Sequence, residues 1–319
     1  MKKISPVWKA MLAAFTACTI FGFSFMFSRL AYEQTDCVVV LAWRFFVAML
    51  VLTLMLLAGK LGLPGCGDFR LRLKRASRRD WLLLLGLGLC EPVLYFIGES
   101  IGISRTNSSF AAVMVAVIPL ASSLIAALWL KEVPNFKQSL CAVLSVAGVV
   151  VVSLVGAGQG TVTLVGVLTL LLAVAAGAIY TNLSRFLCDF TAFERTYLIF
   201  SLGLVWFLTS AFLHGIGIRE LWAAPSLPHF LPAVIYLGAL SSVAAYYLFN
   251  ACLNVLPVAR AAAFVNWTTV VSILAGVFIL GEPFTWVQVL GSVLIIGGLW
   301  GTNYFANDAG TSGSREEIT

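Results

Sequence analysis

Histidine is almost absent from this chain: His214 and His229 are the only two in 319 residues. Neither belongs to an HxxxxD or HExxH pattern, and DDxxD and a Walker-type glycine loop are missing as well. Without clustered chemistry of that kind, no enzyme is expected. Charge is also scarce, at 11% of residues, while 61% are hydrophobic and the mean hydropathy is +0.99. Soluble domains carry about 25% charged residues, so the chain reads as an integral membrane protein with no room for a sizeable soluble domain. The seven cysteines are odd in number and scattered, and none form a CxxC. They read as packing residues rather than a disulfide framework or a metal site.

What is present is apolar sequence broken by short polar stretches. Spans fall at about 7–28, 38–58, 81–103, 108–130, 136–156, 162–184, 195–213, 230–253, 259–280 and 284–305. The first has lysines ahead of an apolar run, as a signal peptide does, but it lacks a small-residue cleavage site and is long enough to span; an uncleaved helix is expected. Sixteen of the twenty Lys and Arg residues fall on one side when the N-terminus is placed inside, seven of them in the linker KLGLPGCGDFRLRLKRASRRD. The positive-inside rule then puts both termini in the cytoplasm, in a multi-pass protein of the cytoplasmic membrane. This distribution accounts for the net charge of +6, so no nucleic-acid partner is expected. The basic linker reads as a topology signal near anionic headgroups.

Sliding the sequence by 150 residues superposes its halves: Ser122 meets Ser272, Glu132 meets Glu282, Gln138 meets Gln288 and Gly148 meets Gly298. Chance matches among Ala, Val and Leu are expected in such a composition, but polar matches in one loop-helix frame are not. The expected fold is therefore all-α, with ten transmembrane helices as two five-helix repeats, 1–156 and 157–306, and a cytoplasmic tail, 307–319. Five is odd, so the second copy is inserted inverted, the architecture of carriers that alternate access around a midplane site. Repeats within one chain supply neither a ring of like charges nor a carbonyl filter, which favours a carrier over a pore.

The first helix ending FGFSFMFSRLA, AWRFFVAML in span two, and the hairpins LWLKEVPNFKQ and FILGEPFTWVQ carry a family resemblance. The chain resembles the EamA-type transporters of the drug/metabolite transporter superfamily over nearly its whole length. The resemblance implies a bundle with a binding cavity between the halves and passage of a small organic solute, often by export. A membrane-embedded receptor or structural protein, and then a membrane enzyme, are the alternatives.

Candidate site residues are the polar groups inside spans, because intramembrane charge is costly and needs a partner or a task. Glu91, Tyr95 and Glu99 stand at i, i+4 and i+8 of span three, which predicts one helical stripe with the glutamates about 12 Å apart along the axis. Pro92 removes a backbone hydrogen bond beside Glu91. Arg44, at similar depth to Glu99, predicts a structural Arg44–Glu99 ion pair; Glu91 has no such cation and is either solute-facing, proton-carrying, or a hydrogen-bonded structural carboxyl. Tyr246 and Asn250 echo Tyr95 and Glu99 after a shift of 151. Asn182, Asn266 and Trp267 complete the candidates, with interhelical bonding the competing role for Asn266. Phe21, Trp43 and Tyr180 read as core or lipid-facing aromatics. The pairs Gly98/Gly102 and Gly297/Gly301 predict close helix crossings.

With one interior arginine, a phosphate-bearing cargo is disfavoured. Neutral, zwitterionic or cationic solutes fit, with amino acids and amphipathic drugs leading. No cofactor is expected; a proton is the candidate coupling ion, and a monomer or weak homodimer the expected state.

Overall fold

The computed structural model describes residues 6–59, 76–118, 120–122, 124–125, 136–158, 162–187, 190–253 and 258–316. Most of the basic linker and the Glu132 hairpin, residues 126–135, lie outside them. Among the described residues the regular structure is entirely helical. Six helices are long and apolar enough to cross a membrane, and four shorter apolar helices, Ser108–Ser122, Ser139–Val152, Trp267–Phe278 and Trp286–Gly298, fall within the remaining expected spans.

In chain order the helices are α1 (Pro6–Tyr32), α2 (Cys37–Gly59), α3 (Arg78–Arg105), α4 (Ser108–Val115), α5 (Phe136–Gly158), α6 (Leu164–Leu183), α7 (Ala192–Leu213), α8 (230–253), α9 (Val258–Phe278) and α10 (Trp286–Glu316). A short helix, Ile218–Ala223, lies between α7 and α8. Local sequence starts many of them. Ser77 and Asp80 form a capping box on α3, and Thr191 and Glu194 form one on α7. Asn107 caps α4 and Thr163 caps α6. Gln288, one of the repeat-matched residues, accepts from the amide and hydroxyl of Thr285 at the start of α10. Its place in the repeat is that of a helix cap.

Two helices are not regular. α3 is α-helical over Arg78–Gly88, widens to a π-helix over Leu89–Leu94, and is α-helical again over Tyr95–Arg105. α8 does the same over Tyr236–Ala245. Glu91 has φ −140° and ψ 115°, outside the helical region. The expected single stripe of Glu91, Tyr95 and Glu99 is therefore broken after its first member. Pro92 brings no N–H to the ladder and disfavours helical geometry in the residue before it, which is Glu91.

Packing follows small residues and aromatic rings. Gly98 and Gly102 lie on α6, where a Cβ at Gly98 would stand 2.5 Å from the Thr169 carbonyl oxygen. α5 and α10 run antiparallel in close contact: Gly148 faces Gly291 and Ile295, and Gly298 faces Cys141 and Ser145. The second expected pair is corrected here, because Gly297 faces open space and Gly298 makes the crossing beside Gly301. One core cluster centres on Phe45, whose ring meets those of Phe96, Phe200 and Phe207 at 5.3, 5.2 and 5.4 Å. Large apolar side chains such as Leu54, Leu82, Val205 and Leu290 remain exposed, as lipid-facing surfaces require.

The pairing of helices repeats itself. α3 packs on α6 through Gly98 with Ala173, and α8 packs on α1 through Tyr236 with Phe27 and Ile20. α4 and α9 meet each other, as do α5 and α10, and α2 and α7. Exchange of the first five helices for the last five leaves this set of contacts unchanged.

Candidate functional site

A cavity of about 180 Å³ lies between α1, α2, α3, α4, α8 and α9. Its polar wall includes Arg44, Tyr95, Glu99, Ser241 and Tyr246; its aromatic wall is Phe21, Phe25, Phe96 and Phe249. Arg44 and Glu99, both buried, meet here. Arg44 and Glu99 are 3% and 5% exposed, so neither has bulk water to solvate it.

The charges are held apart by other partners. Arg44 Nε donates to Ser242 Oγ at 3.0 Å, and the guanidinium lies over the Phe96 ring, 4.2 Å from its centroid. Tyr95 donates its hydroxyl to Glu99 Oε1 at 2.9 Å, as the i, i+4 spacing within the intact part of α3 allows. Between them, Arg44 Nη1 and Glu99 Oε2 stand 3.9 Å apart. The expected ion pair is present, but longer than a hydrogen bond. Both groups thus keep capacity to bind a third one.

Glu91 stands beside the cavity, with Tyr246 in the wall. Tyr246 donates its hydroxyl to Glu91 Oε1, so the contact runs from α8 to α3. The Tyr246 ring is set edge-on against Phe21 at 5.3 Å and Phe200 at 6.2 Å. Sequence alone offered no cation for Glu91 and placed Tyr95 and Asn250 near it; the structure provides the Tyr246 phenol from the opposite half.

The remaining candidates separate. The Asn182 amide donates to the carbonyl and hydroxyl oxygens of Ser122 and to the Ala178 carbonyl, at 2.9–3.0 Å. It ties α6 to the segment following α4. Trp267 donates to Thr19 at 3.0 Å and stacks on Phe15, joining α9 to α1. The side chains of Asn250 and Asn266 lie outside the described residues. Among the aromatics, Phe21 lines the cavity, whereas Trp43 donates to the Leu221 carbonyl near a separate apolar pocket.

Ser241 and Ser242 were missed by sequence reasoning. Ser241 is 1% exposed, lines the cavity, and its Oγ has no hydrogen-bond partner. A signal did exist: Ser241 lies 150 residues beyond Glu91, the spacing of the repeat. Serine and glutamate share too little chemistry to register as a match. Buried charge, an aromatic wall and an unpartnered hydroxyl thus meet in one cavity.

Comparison with known proteins agrees in class. The EamA-like transporter family model matches in two stretches, residues 8–154 and 164–304. The chain belongs to the EamA-like transporter family and is a multi-pass membrane transporter. It is 32% identical over 299 residues to an uncharacterized transporter, YcxC, of Bacillus subtilis (strain 168), covering 92% of each chain. It is 23% identical over 286 residues to an uncharacterized transporter of Archaeoglobus fulgidus, covering 88% of this chain and 94% of that one. A crystal structure of a protein 19% identical in sequence matches with a TM-score of 0.64, over 94% of this chain and 98% of that one. The last likeness concerns the fold.

Proposed function

We propose that this transporter is a secondary carrier that exports a small organic solute across the cytoplasmic membrane by alternating access between two inverted five-helix repeats. The exchange of helix contacts between halves supports the inverted repeat, as does the match of one family model to each half. The positive-inside distribution supports cytoplasmic termini; family resemblance supports export.

The observation that carries the reading is the open Arg44–Glu99 pair in an aromatic-walled cavity. A solute with one anionic and one cationic pole can place its anion on Arg44 and its cation on Glu99 and the ring faces. A small zwitterion such as an amino acid meets both demands, and a monocation meets one. The Glu91–Tyr246 bond joins the halves beside the solute. Glu91 is the group to carry a coupling proton: as a carboxylate it accepts from Tyr246, and as an acid it can give the bond back. The cycle follows from exclusion: protonation of Glu91 from outside opposes solute binding, and release inside permits it.

The test is solute flux in reconstituted vesicles, with substrates first chosen by thermal shift against charged, zwitterionic and neutral metabolites. Zwitterions or cations should bind, and Arg44→Met should weaken zwitterions more than matched monocations. Binding of phosphorylated solutes alone would overturn the cargo assignment; absence of flux for every bound solute would overturn the carrier.

A further inference from the structure

Glu282 is the acidic member of the second repeat hairpin, and it is half-buried and turned onto protein donors. Its Oε1 accepts from the Ser108 amide at 2.7 Å, and its Oε2 accepts from the Ser109 amide at 3.0 Å and the Ser109 hydroxyl at 2.7 Å. These amides open α4, where the helix leaves its first N–H groups unsatisfied and its dipole favours an anion. The natural cap, Asn107, satisfies only the next one, Phe110, at 2.7 Å. A carboxylate from the second half thus completes the N-terminus of a helix in the first.

The surrounding backbone is shaped to deliver it. α9 ends with Leu280 bonding back to Ala275, Gly281 turns at φ +68°, and the Glu282 amide returns to the Gly276 carbonyl at 3.0 Å. Gly276 is the residue beneath: a Cβ there would collide with both Ser109 Oγ and the Glu282 carboxylate. The same end of the bundle is tied elsewhere, with Arg29 donating to the Ile103 carbonyl and Thr163 to the Arg105 carbonyl. Those two ties stay on carbonyls at the end of α3. The Glu282 bonds span from the α9–α10 loop to α4, whose Val115 lines the cavity about 10 Å further along the helix.

We propose that Glu282 is a positioning residue for transport, the latch that holds α4 to the α9–α10 loop and keeps the cavity closed toward this face. Release of the carboxylate frees the start of α4 to swing from the loop, and the cavity opens toward the side carrying residues 279–285. The latch rests on the carrier reading for its purpose, but not for its test. Among the described residues no Lys or Arg pairs with Glu282; the seat is made of backbone and hydroxyl donors, so relative motion of two elements breaks the whole contact together.

The experiment uses the full chain in vesicles with Val115→Cys as reporter, labelled by a membrane-impermeant methanethiosulfonate added to one face at a time, with the parent chain's labelling subtracted. Glu282→Gln removes the charge from three hydrogen bonds and should raise labelling from the 279–285 face roughly tenfold relative to labelling from the opposite face. Gly276→Ala, which obstructs the seat while leaving the carboxylate, should shift the ratio the same way. Ser109→Ala, which removes one donor, should shift it less and serves where the other two reduce folding. A purely structural cap would lower thermal stability with an unchanged face ratio in the folded protein, and that result overturns the latch. Absence of flux in the parent chain with an altered ratio in Glu282→Gln would remove the carrier and keep the latch; flux in the parent chain with an unaltered ratio in Glu282→Gln would do the reverse.

Discussion

Arg44 and Glu99 offer the sharpest energetic test, because their contact is long enough to separate attraction from hydrogen bonding. At 3.9 Å between Nη1 and Oε2, two unit charges attract by about 4 kcal/mol at an effective dielectric of about 20. Glu99→Gln keeps an acceptor for the Tyr95 hydroxyl but leaves a buried guanidinium with no counter-charge. Arg44→Met leaves Glu99 uncompensated and also loses the Ser242 bond and the Phe96 face. Each single substitution should therefore destabilise by about 3–5 kcal/mol, the arginine change by the larger amount. The double substitution removes both stranded charges, so its loss should fall below the sum by about 2–4 kcal/mol.

The measurement is equilibrium unfolding of the purified protein in mild detergent, for the parent, the two single variants and the double variant. A coupling below about 0.5 kcal/mol would mean that the charges act independently. Glu99 would then be held by Tyr95 alone, and the ionic cargo site would lose its basis. A coupling within the expected range, together with restored unfolding but absent zwitterion binding in the double variant, separates the pair's structural share from its binding share.

Glu91→Gln should insert and fold normally, lose pH-gradient-driven transport in inverted vesicles, and retain solute exchange at equal pH; normal gradient-driven transport would make the carboxylate structural. Tyr246→Phe strands a buried acceptor and should cost about 1–3 kcal/mol of stability, measured by the same unfolding assay, with an unchanged midpoint refuting the contact. Gly98→Val places a branched side chain against the Thr169 carbonyl and should destabilise by about 1–3 kcal/mol; wild-type stability would mean that α3 and α6 can separate freely. Cysteines at Asn135 and Thr285 should label from opposite faces with an impermeant reagent, and labelling from one face would remove the inverted repeat.

The membrane class and helical fold were legible in sequence because bilayer thickness sets helix length and excludes free charge. Short helices were harder to delimit: α4 gives way to a turn after Val115, a local geometry that hydropathy does not encode. Tyr95 and Glu99 were legible as members of one stripe since i, i+4 geometry is local. Glu91 was legible as a polar residue without a cation, but not as a neighbour of Tyr246, because that contact crosses between halves and follows a break in α3. The 151-residue echo matched Tyr246 to Tyr95 but named no contact for it; in the structure its hydroxyl bonds to Glu91.

That difference bears on mechanism. A continuous helix would turn Glu91, Tyr95 and Glu99 to one face, with both carboxylates on a single wall about 12 Å apart. The break assigns them different partners, Arg44 and Tyr95 for Glu99 and a phenol from α8 for Glu91. Two acidic groups on one helix can then have separate tasks, one binding a solute and one exchanging a proton, with Tyr246 in contact with both the cavity and Glu91. Solute that displaces the Tyr246 ring must also disturb the Glu91 bond. In the proposed carrier, coupling of solute to proton would need no long pathway, since a single phenol is shared between them.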